Sequence, residues 1–260
     1  MRIALCFYGL VGSTNFKYGS GKSLNPNLCA NLYKKNFISH HDKVDIFIHS
    51  QSYDFKEKLI KIYKPKKSLI EKKKNFFWKA FFHPKVLLSI IISLKNFDLK
   101  FKDFKDKHIR TINAFSRWYS TKTVVMLKKK YEKERNKNYD LVLLTRLDWA
   151  FLKPLRLNKN MKKKFIVSNH NDVPSPRNKY KSKVKKNNKT EEKGLADYWF
   201  IGGNDIINNF SKVYDRKYSY EISPHVSSFQ HSKFLKQKIS FLGYRGIDHE
   251  LMRRIKKSTQ

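Results

Sequence analysis

The sequence predicts an α/β fold, a mostly parallel sheet flanked by helices, and three observations carry that expectation. Two short, nearly continuous apolar runs, Arg2-Ile3-Ala4-Leu5-Cys6-Phe7-Tyr8 and Lys43-Val44-Asp45-Ile46-Phe47-Ile48-His49, have the composition of strands buried on both faces. Residues 27–40 between them have helical length, with Leu28, Leu32 and Phe37 as apolar markers. Strand, helix and strand inside the first 50 residues make a right-handed βαβ unit.

The remaining elements follow in order. The first strand stops at Gly9, and the Gly-, Ser- and Asn-rich stretch through Ser23 is a loop. The second ends in Ser50-Gln51-Ser52, a helix follows over residues 54–62, and Tyr63 to Ile70 returns a short strand. Residues 75–110 read as a helical insertion, aromatic and basic, with Phe76, Phe77, Trp78, Phe81 and Phe82 leading into Val86 to Leu94. Its apolar part has two readings: a core or dimer-packing helix, or an interfacial helix docking aromatics and lysines on anionic lipid.

A long helix over residues 112–136 feeds a third central strand, Tyr139 to Asp148. Phe165 to Ser168 is a further strand, and the polar, Lys-rich residues 178–193 read as a mobile surface loop. Ala196 to Gly203 is a strand and turn, followed by helices over residues 204–214, 229–238 and from Asp248 to the end. One domain over residues 1–260 is expected from this length.

Fifty-seven basic residues against 21 acidic give a net charge of +36. Eleven of the cations are Arg and 46 are Lys, a balance unlike that of base-reading proteins, which lean on the Arg fork. No helix-turn-helix, zinc-finger or RNP pattern is present, so a basic nucleic-acid-binding protein is the weaker alternative. Cys6 and Cys29 match no metal spacing, and Cys6 is expected as a buried free thiol. Without a signal-peptide pattern or an apolar run of about 20 residues, the expectation is a cytoplasmic protein, at most peripheral on the inner membrane.

In parallel α/β sheets, ligands bind beyond the carboxyl ends of the strands. Tyr8 and Gly9, His49 and Ser50, Arg146 and Asp148, His170 and Asp172, and Asp197 are expected to converge there. A carboxylate at such an edge holds Mn²⁺ or Mg²⁺ against a diphosphate, while Arg and Lys do the same work directly. Taken alone, Arg146 and Asp148 read first as a structural pair capping the strand.

The ordered set Ile3 to Phe7, Val44 to His49, Tyr63 to Lys66, Leu127 to Glu132, Tyr139 to Asp148 and Ala196 to Gly202 resembles small bacterial and viral glycosyltransferases of surface-polysaccharide synthesis. The resemblance implies a GT-A-like, that is Rossmann-like, fold. It also implies transfer of a sugar from a nucleotide-diphosphate donor to a capsular or lipid-linked glycan acceptor. By that likeness, Arg146 and Asp148 occupy an Arg-x-Asp element with Asp148 as metal ligand. Asp197 is the acceptor-side acid or base, and the loop from Gly9 to Lys22, with Tyr8, His49, Ser50 and Lys22, meets the donor. A different transferase, moving a phospho or sulfo group, fits the same scaffold. His225 and His231 read as surface or packing histidines.

Overall fold

The computed structural model describes residues 1–11, 25–95, 101–169, 185–187 and 190–252. The chain runs β1 (Arg2–Gly9), α1 (Pro26–Asn36), a 3-10 turn, β2 (Lys43–Ser50), a second 3-10 turn, α2 (Lys56–Tyr63), β3 (Lys67–Ile70), α3 (Phe77–Phe81), α4 (Pro84–Lys95) and α5 (Phe101–Arg135). It continues through β4 (Leu141–Arg146), β5 (Trp149–Phe151), β6 (Phe165–Ser168), β7 (Lys185–Asn187), β8 (Thr190–Gly194) and β9 (Ala196–Gly203). The last described elements are α6 (Asn204–Phe210), α7 (Pro224–Phe234), β10 (Ile239–Phe241) and β11 (His249–Leu251).

The main sheet has seven strands in the order β10-β6-β9-β4-β1-β2-β3. The pairs β1–β2, β1–β4, β2–β3 and β6–β10 are parallel, while β9 runs antiparallel to both β4 and β6. One strand of the seven is therefore reversed. Each apolar run divides between two cores because alternate residues face opposite sides of the sheet. Ile3, Leu5 and Phe7 pack with Cys29 and Tyr33 of α1, Leu59 and Tyr63 of α2, and Trp199 and Ile201 of β9. Ala4, Cys6 and Tyr8 pack with Trp118, Val124 and Val125 of α5 and with Phe200, Ile207 and Phe210. The result is helix, sheet, helix, with Cys6 a buried free thiol.

Local chemistry sets the boundaries. Asn25 caps α1 by accepting the Asn27 amide at 3.0 Å, Pro26 occupies the first turn, and Lys34 and Lys35 close the last one. Pro at the first turn likewise starts α7 at Pro224, five residues before the expected Phe229. Lys236, in a left-handed conformation at φ 53°, ends the segment short of the expected Lys238. The long helix begins at Phe101 rather than residue 112.

Other expectations change. The third central strand ends at Arg146, and Leu147-Asp148 turns the chain into β5. The helix expected from Asp248 is instead β11, antiparallel to β5, as far as the described residues extend. The Asp248 side chain closes the preceding turn, its Oδ2 accepting the Tyr244 amide at 2.8 Å. The expected loop over residues 178–193 contributes an antiparallel pair, Lys185–Asn187 with Thr190–Gly194, and its remainder lies outside the described residues.

A buried histidine locks β5, β6 and β11 together. The Trp149 indole donates to His249 Nδ1 at 3.2 Å, so the proton sits on Nε2, which donates to Ser168 Oγ at 2.8 Å. Ser168 Oγ in turn donates to the Asn169 carbonyl at 2.9 Å. Burial lowers the pKa of His249 to about 4. His231, which donates to the Asn209 carbonyl and accepts from the Tyr220 hydroxyl, is likewise lowered to about 4 by burial.

Both histidines fold neutral, so the unfolded chain binds more protons than the folded one between their two pKa values. Stability is therefore full above the ordinary histidine pKa of about 6.5 and falls as pH drops towards about 4. Urea unfolding at pH 7.5 and 5 is expected to differ by on the order of 2 kcal/mol per histidine. The His249→Asn variant, weaker at pH 7.5, should show a shallower pH slope.

Candidate functional site

β2 and β3 lie on one side of β1, and β4 lies on the other. The gap between β1 and β4 at their carboxyl ends is the switch point of the sheet, where open α/β folds leave a ligand crevice. Tyr8 and Arg146 are register partners across that gap. Gly9 turns the chain out of β1 at φ +95°, a conformation that side chains disfavour. Ser50 Oγ donates to the Gly9 carbonyl at 2.8 Å and accepts the Ser52 amide at 3.1 Å, while Ser52 Oγ accepts the Val11 amide at 3.0 Å. The start of the β1 loop is thus stitched to the end of β2. Lys22, His170 and Asp172 lie outside the described residues.

His49 is fully buried and faces α5, its ring edge-on to Tyr119. Its Nε2 meets Glu71 Oε1 at 3.1 Å, and the same oxygen accepts the Tyr119 hydroxyl at 3.0 Å. Burial lowers the His49 pKa against the opposing pull of Glu71. Its side chain therefore braces β2 against α5 rather than lining the switch point.

At the switch point, Arg117 of α5 joins three elements. One guanidinium nitrogen donates to the Tyr8 hydroxyl at 3.0 Å, and another forms an ion pair with Asp197 Oδ2. Asp197 Oδ1 meets His225 Nδ1 at 3.1 Å, and that nitrogen donates to the Leu195 carbonyl at 2.9 Å. Burial alone would raise the Asp197 carboxyl, yet Arg117, His225 and Arg146 together hold it below the usual carboxylate range. Burial pushes the Tyr8 phenol up, so it stays protonated. Asp197 sits near the start of β9, and reversal of that strand carries its amino end to the edge where β1 and β4 end. A bulge helps: Phe200 pairs with Val167 while Ala196 pairs with Ser168, so three extra residues, Asp197, Tyr198 and Trp199, bow out of the ladder.

Arg146 and Asp148 form a bidentate pair, Nε to Oδ1 at 2.7 Å and Nη2 to Oδ2 at 2.6 Å. The Asp148 carboxylate is buried and the guanidinium about a quarter exposed. Burial opposes the charge on Arg146, but the Asp148, Tyr8 and Asp197 oxygens outweigh it and raise its pKa. Asp148, the residue a metal would take by resemblance, thus spends both oxygens on Arg146. Among the described residues no group of three or more His, Cys, Asp or Glu side chains is placed to hold a metal ion. Among the described residues, therefore, the donor set at this edge does not fit Mn²⁺ or Mg²⁺.

On the α5 face of this edge two buried donors, Arg117 Nε and Gln51 Nε2, lack a protein partner among the described residues. Ser116, next to Arg117, donates to Gln51 Oε1 at 3.3 Å, so both orphans belong to one seam between α5 and the end of β2. Buried donors are nearly always satisfied, so such a pair marks a place where a ligand oxygen or ordered water is expected. The rim carries an aromatic platform: Tyr198 stacks on Trp149 at 4.2 Å with 7° between the planes. Arg245 donates to the Tyr198 hydroxyl at 3.1 Å. Trp199 and Phe200 are core residues on opposite faces of the sheet.

Tyr8, Gly9, Ser50, Arg146, Asp148 and Asp197 thus share the expected edge, while His49 belongs to the packing beneath it. Arg117, Gln51 and Arg245 carry no sequence signal that marks them, and His225, expected as a surface or packing residue, meets Asp197. Scanned against protein-family models and curated protein sequences, the chain matches none.

The Asp148→Asn substitution leaves the Arg146 guanidinium without its counter-charge, so it is expected to affect stability as well as function. Allowing for the partly exposed guanidinium, the loss should be about 1–2 kcal/mol in urea unfolding. Arg146→Met combined with Asp148→Leu should lose less than Asp148→Asn alone, because no unpaired charge remains.

Proposed function

We propose that the chain is a glycosyltransferase that takes a sugar from a nucleotide-diphosphate donor and gives it to a capsular or other cell-surface glycan, free or lipid-linked. The observation that carries this reading is the Arg117 assembly at the switch point. A part-buried guanidinium, Arg117, with a buried and unmet Nε–H lies beside a second guanidinium, Arg146, and beside the Asp197–His225 pair. The GT-A-like form of the fold is part of the same proposal. Six strands in one direction with a reversed strand beside β4 are compatible with that form and leave a crevice at the β1–β4 switch point.

Each residue has a distinct task in this reading. Gly9, Ser50 and the start of the β1 loop shape the nucleoside side. Arg117 and Arg146 stabilise charge as it develops on the leaving diphosphate, work that a fixed cation does without reorganisation. The acceptor oxygen forms its bond to the anomeric carbon while the carbon–oxygen bond to the diphosphate breaks and the electron pair leaves with it. The acceptor proton needs a base. Asp197, held ionised by its cations, is a weak proton acceptor on its own. It meets the Nδ1–H of His225 at 3.1 Å, and the acceptor proton passes to this Asp197–His225 pair. Tyr198 on Trp149 offers a flat apolar face to a sugar ring.

A thermal-shift screen of UDP, GDP, CMP and ADP sugars is expected to single out one nucleotide, with the shift retained in EDTA. No response to any of them, together with tight, salt-sensitive oligonucleotide binding, overturns the reading in favour of a nucleic-acid-binding protein. With the donor known, His225→Gln and Asp197→Asn should each lower kcat about 10²–10⁴-fold, with little change in donor KM. Turnover within threefold of the unaltered protein in both variants removes the pair from the mechanism.

A further inference from the structure

The helices α3 and α4 leave much of their apolar surface on the outside. In α4, Val86 and Ser89 are buried, and Ser93 is half-buried, while Leu88, Ile91, Ile92 and Leu94 are exposed. The inward serines satisfy themselves on their own helix, Ser89 Oγ donating to the Val86 carbonyl at 2.7 Å and Ser93 Oγ to the Ser89 carbonyl at 2.8 Å. A helix that hides its hydroxyls and shows water its Leu and Ile has the reverse of the usual pattern. In and beside α3, Phe77, Trp78 and Phe82 extend the ridge, with Trp78 65% and Phe82 60% exposed. Leu94, at 72%, is the most exposed large hydrophobic residue among those described. Large apolar side chains exposed in such number on two successive helices point to an interaction site.

What the ridge meets is decided by its surroundings. Lys72, Lys73 and Lys79 are exposed beside it, and so are Lys105, Lys107 and Arg110 on the start of α5. That part of α5 packs on α3, His108 Nε2 donating to the Phe77 carbonyl at 3.0 Å. Two other lysines of the segment are neutralised, Lys74 by Glu71 and Lys85 by Glu221. An apolar ridge fringed by cations fits a surface that is apolar in depth and negative at its rim. A second copy of the chain would bring the same cations to the same fringe, on a protein already at +36, and would be repelled. No helix among the described residues is long and apolar enough to cross a membrane, so the segment lies along a surface rather than through it.

We propose that α3 and α4 form an interfacial docking element for an anionic phospholipid surface: Trp78, Phe82, Leu88, Ile91 and Ile92 enter the acyl boundary, and Lys72, Lys73, Lys79, Lys105 and Lys107 meet the headgroups. The inference does not depend on what the switch-point residues do. It also separates the two sequence readings of this segment: the ridge is not packed in the core, and its dimer role is an outcome of the test.

The protein carries its own reporter. Of its four tryptophans, Trp118, Trp149 and Trp199 are buried and Trp78 is exposed. Addition of phosphatidylcholine vesicles containing one-third phosphatidylglycerol should shift the emission to the blue and carry the full-length protein up a flotation gradient. Pure phosphatidylcholine vesicles should do neither. The triple substitution Trp78→Ser, Ile91→Ser, Ile92→Ser should lower flotation at least tenfold at an unchanged melting temperature, since all three side chains are exposed. Lys72→Gln, Lys73→Gln and Lys79→Gln together should do the same while keeping the tryptophan in place. Equal flotation on both vesicles, no flotation on either, flotation unchanged by the serine substitutions, or a Trp78-dependent dimer that ignores vesicles would each overturn the proposal.

Discussion

The candidate site depends on one strand running the wrong way. β9 is wedged between β4 and β6 antiparallel to both, and its amino end therefore reaches the edge where β1, β2 and β4 finish. Were β9 parallel, Asp197 would lie at the far edge, well away from Tyr8 and Arg117. The bulge at Asp197–Trp199 adds to the effect by freeing these residues from the β6 ladder. Arg117 then closes the arrangement from above, its guanidinium joining α5 to Tyr8 of β1 and Asp197 of β9.

Two ion pairs made by α5 on one face of the sheet, Lys128–Glu132 and Arg117–Asp197, differ in a way that explains why only the second marks a site. Near the start of β4, the Lys128 ammonium is satisfied by Glu132 Oε2 at 2.8 Å and by Asn204, while Glu132 Oε1 accepts the Tyr139 amide at 3.0 Å. That cluster holds a helix against a sheet, and the neighbouring Cys6 thiol, pushed up to about 12 by burial, is inert. At the switch point, by contrast, Arg117 and Gln51 keep buried donors that no described protein group meets. Burying an ion pair seldom gains stability over an apolar replacement, so one that also leaves orphaned donors is costly for folding alone.

Much of the architecture was legible because burial on both faces writes an unbroken apolar run. Ile3 to Tyr8, Ile46 to His49, Leu141 to Leu144 and Trp199 to Ile201 all fall in central strands. The strands that escaped notice are short: Ile239–Phe241 is only half-buried at the sheet margin, and Trp149–Phe151 follows a two-residue turn that composition does not announce. His249–Leu251 was read as helix, yet it gains its place from a partner about 100 residues away. The strand ends of the site were legible for the same reason as the strands. Arg117 was not, since it sits in a 35-residue helix among other charged residues and only the tertiary fold aims it at Asp197. His49 misled because its place at a strand end is right while its side chain turns to α5 and Glu71.

The central claim is that the edge gathered by β9 receives the phosphates of a nucleotide sugar. It is tested most directly by hydrogen–deuterium exchange on the full-length protein, with UDP, GDP, CMP and ADP sugars added in turn. One of them should slow exchange at residues 8–11, 50–52, 146–148 and 195–198, and leave the α3–α4 segment unchanged. Binding that protects none of these four stretches would contradict it.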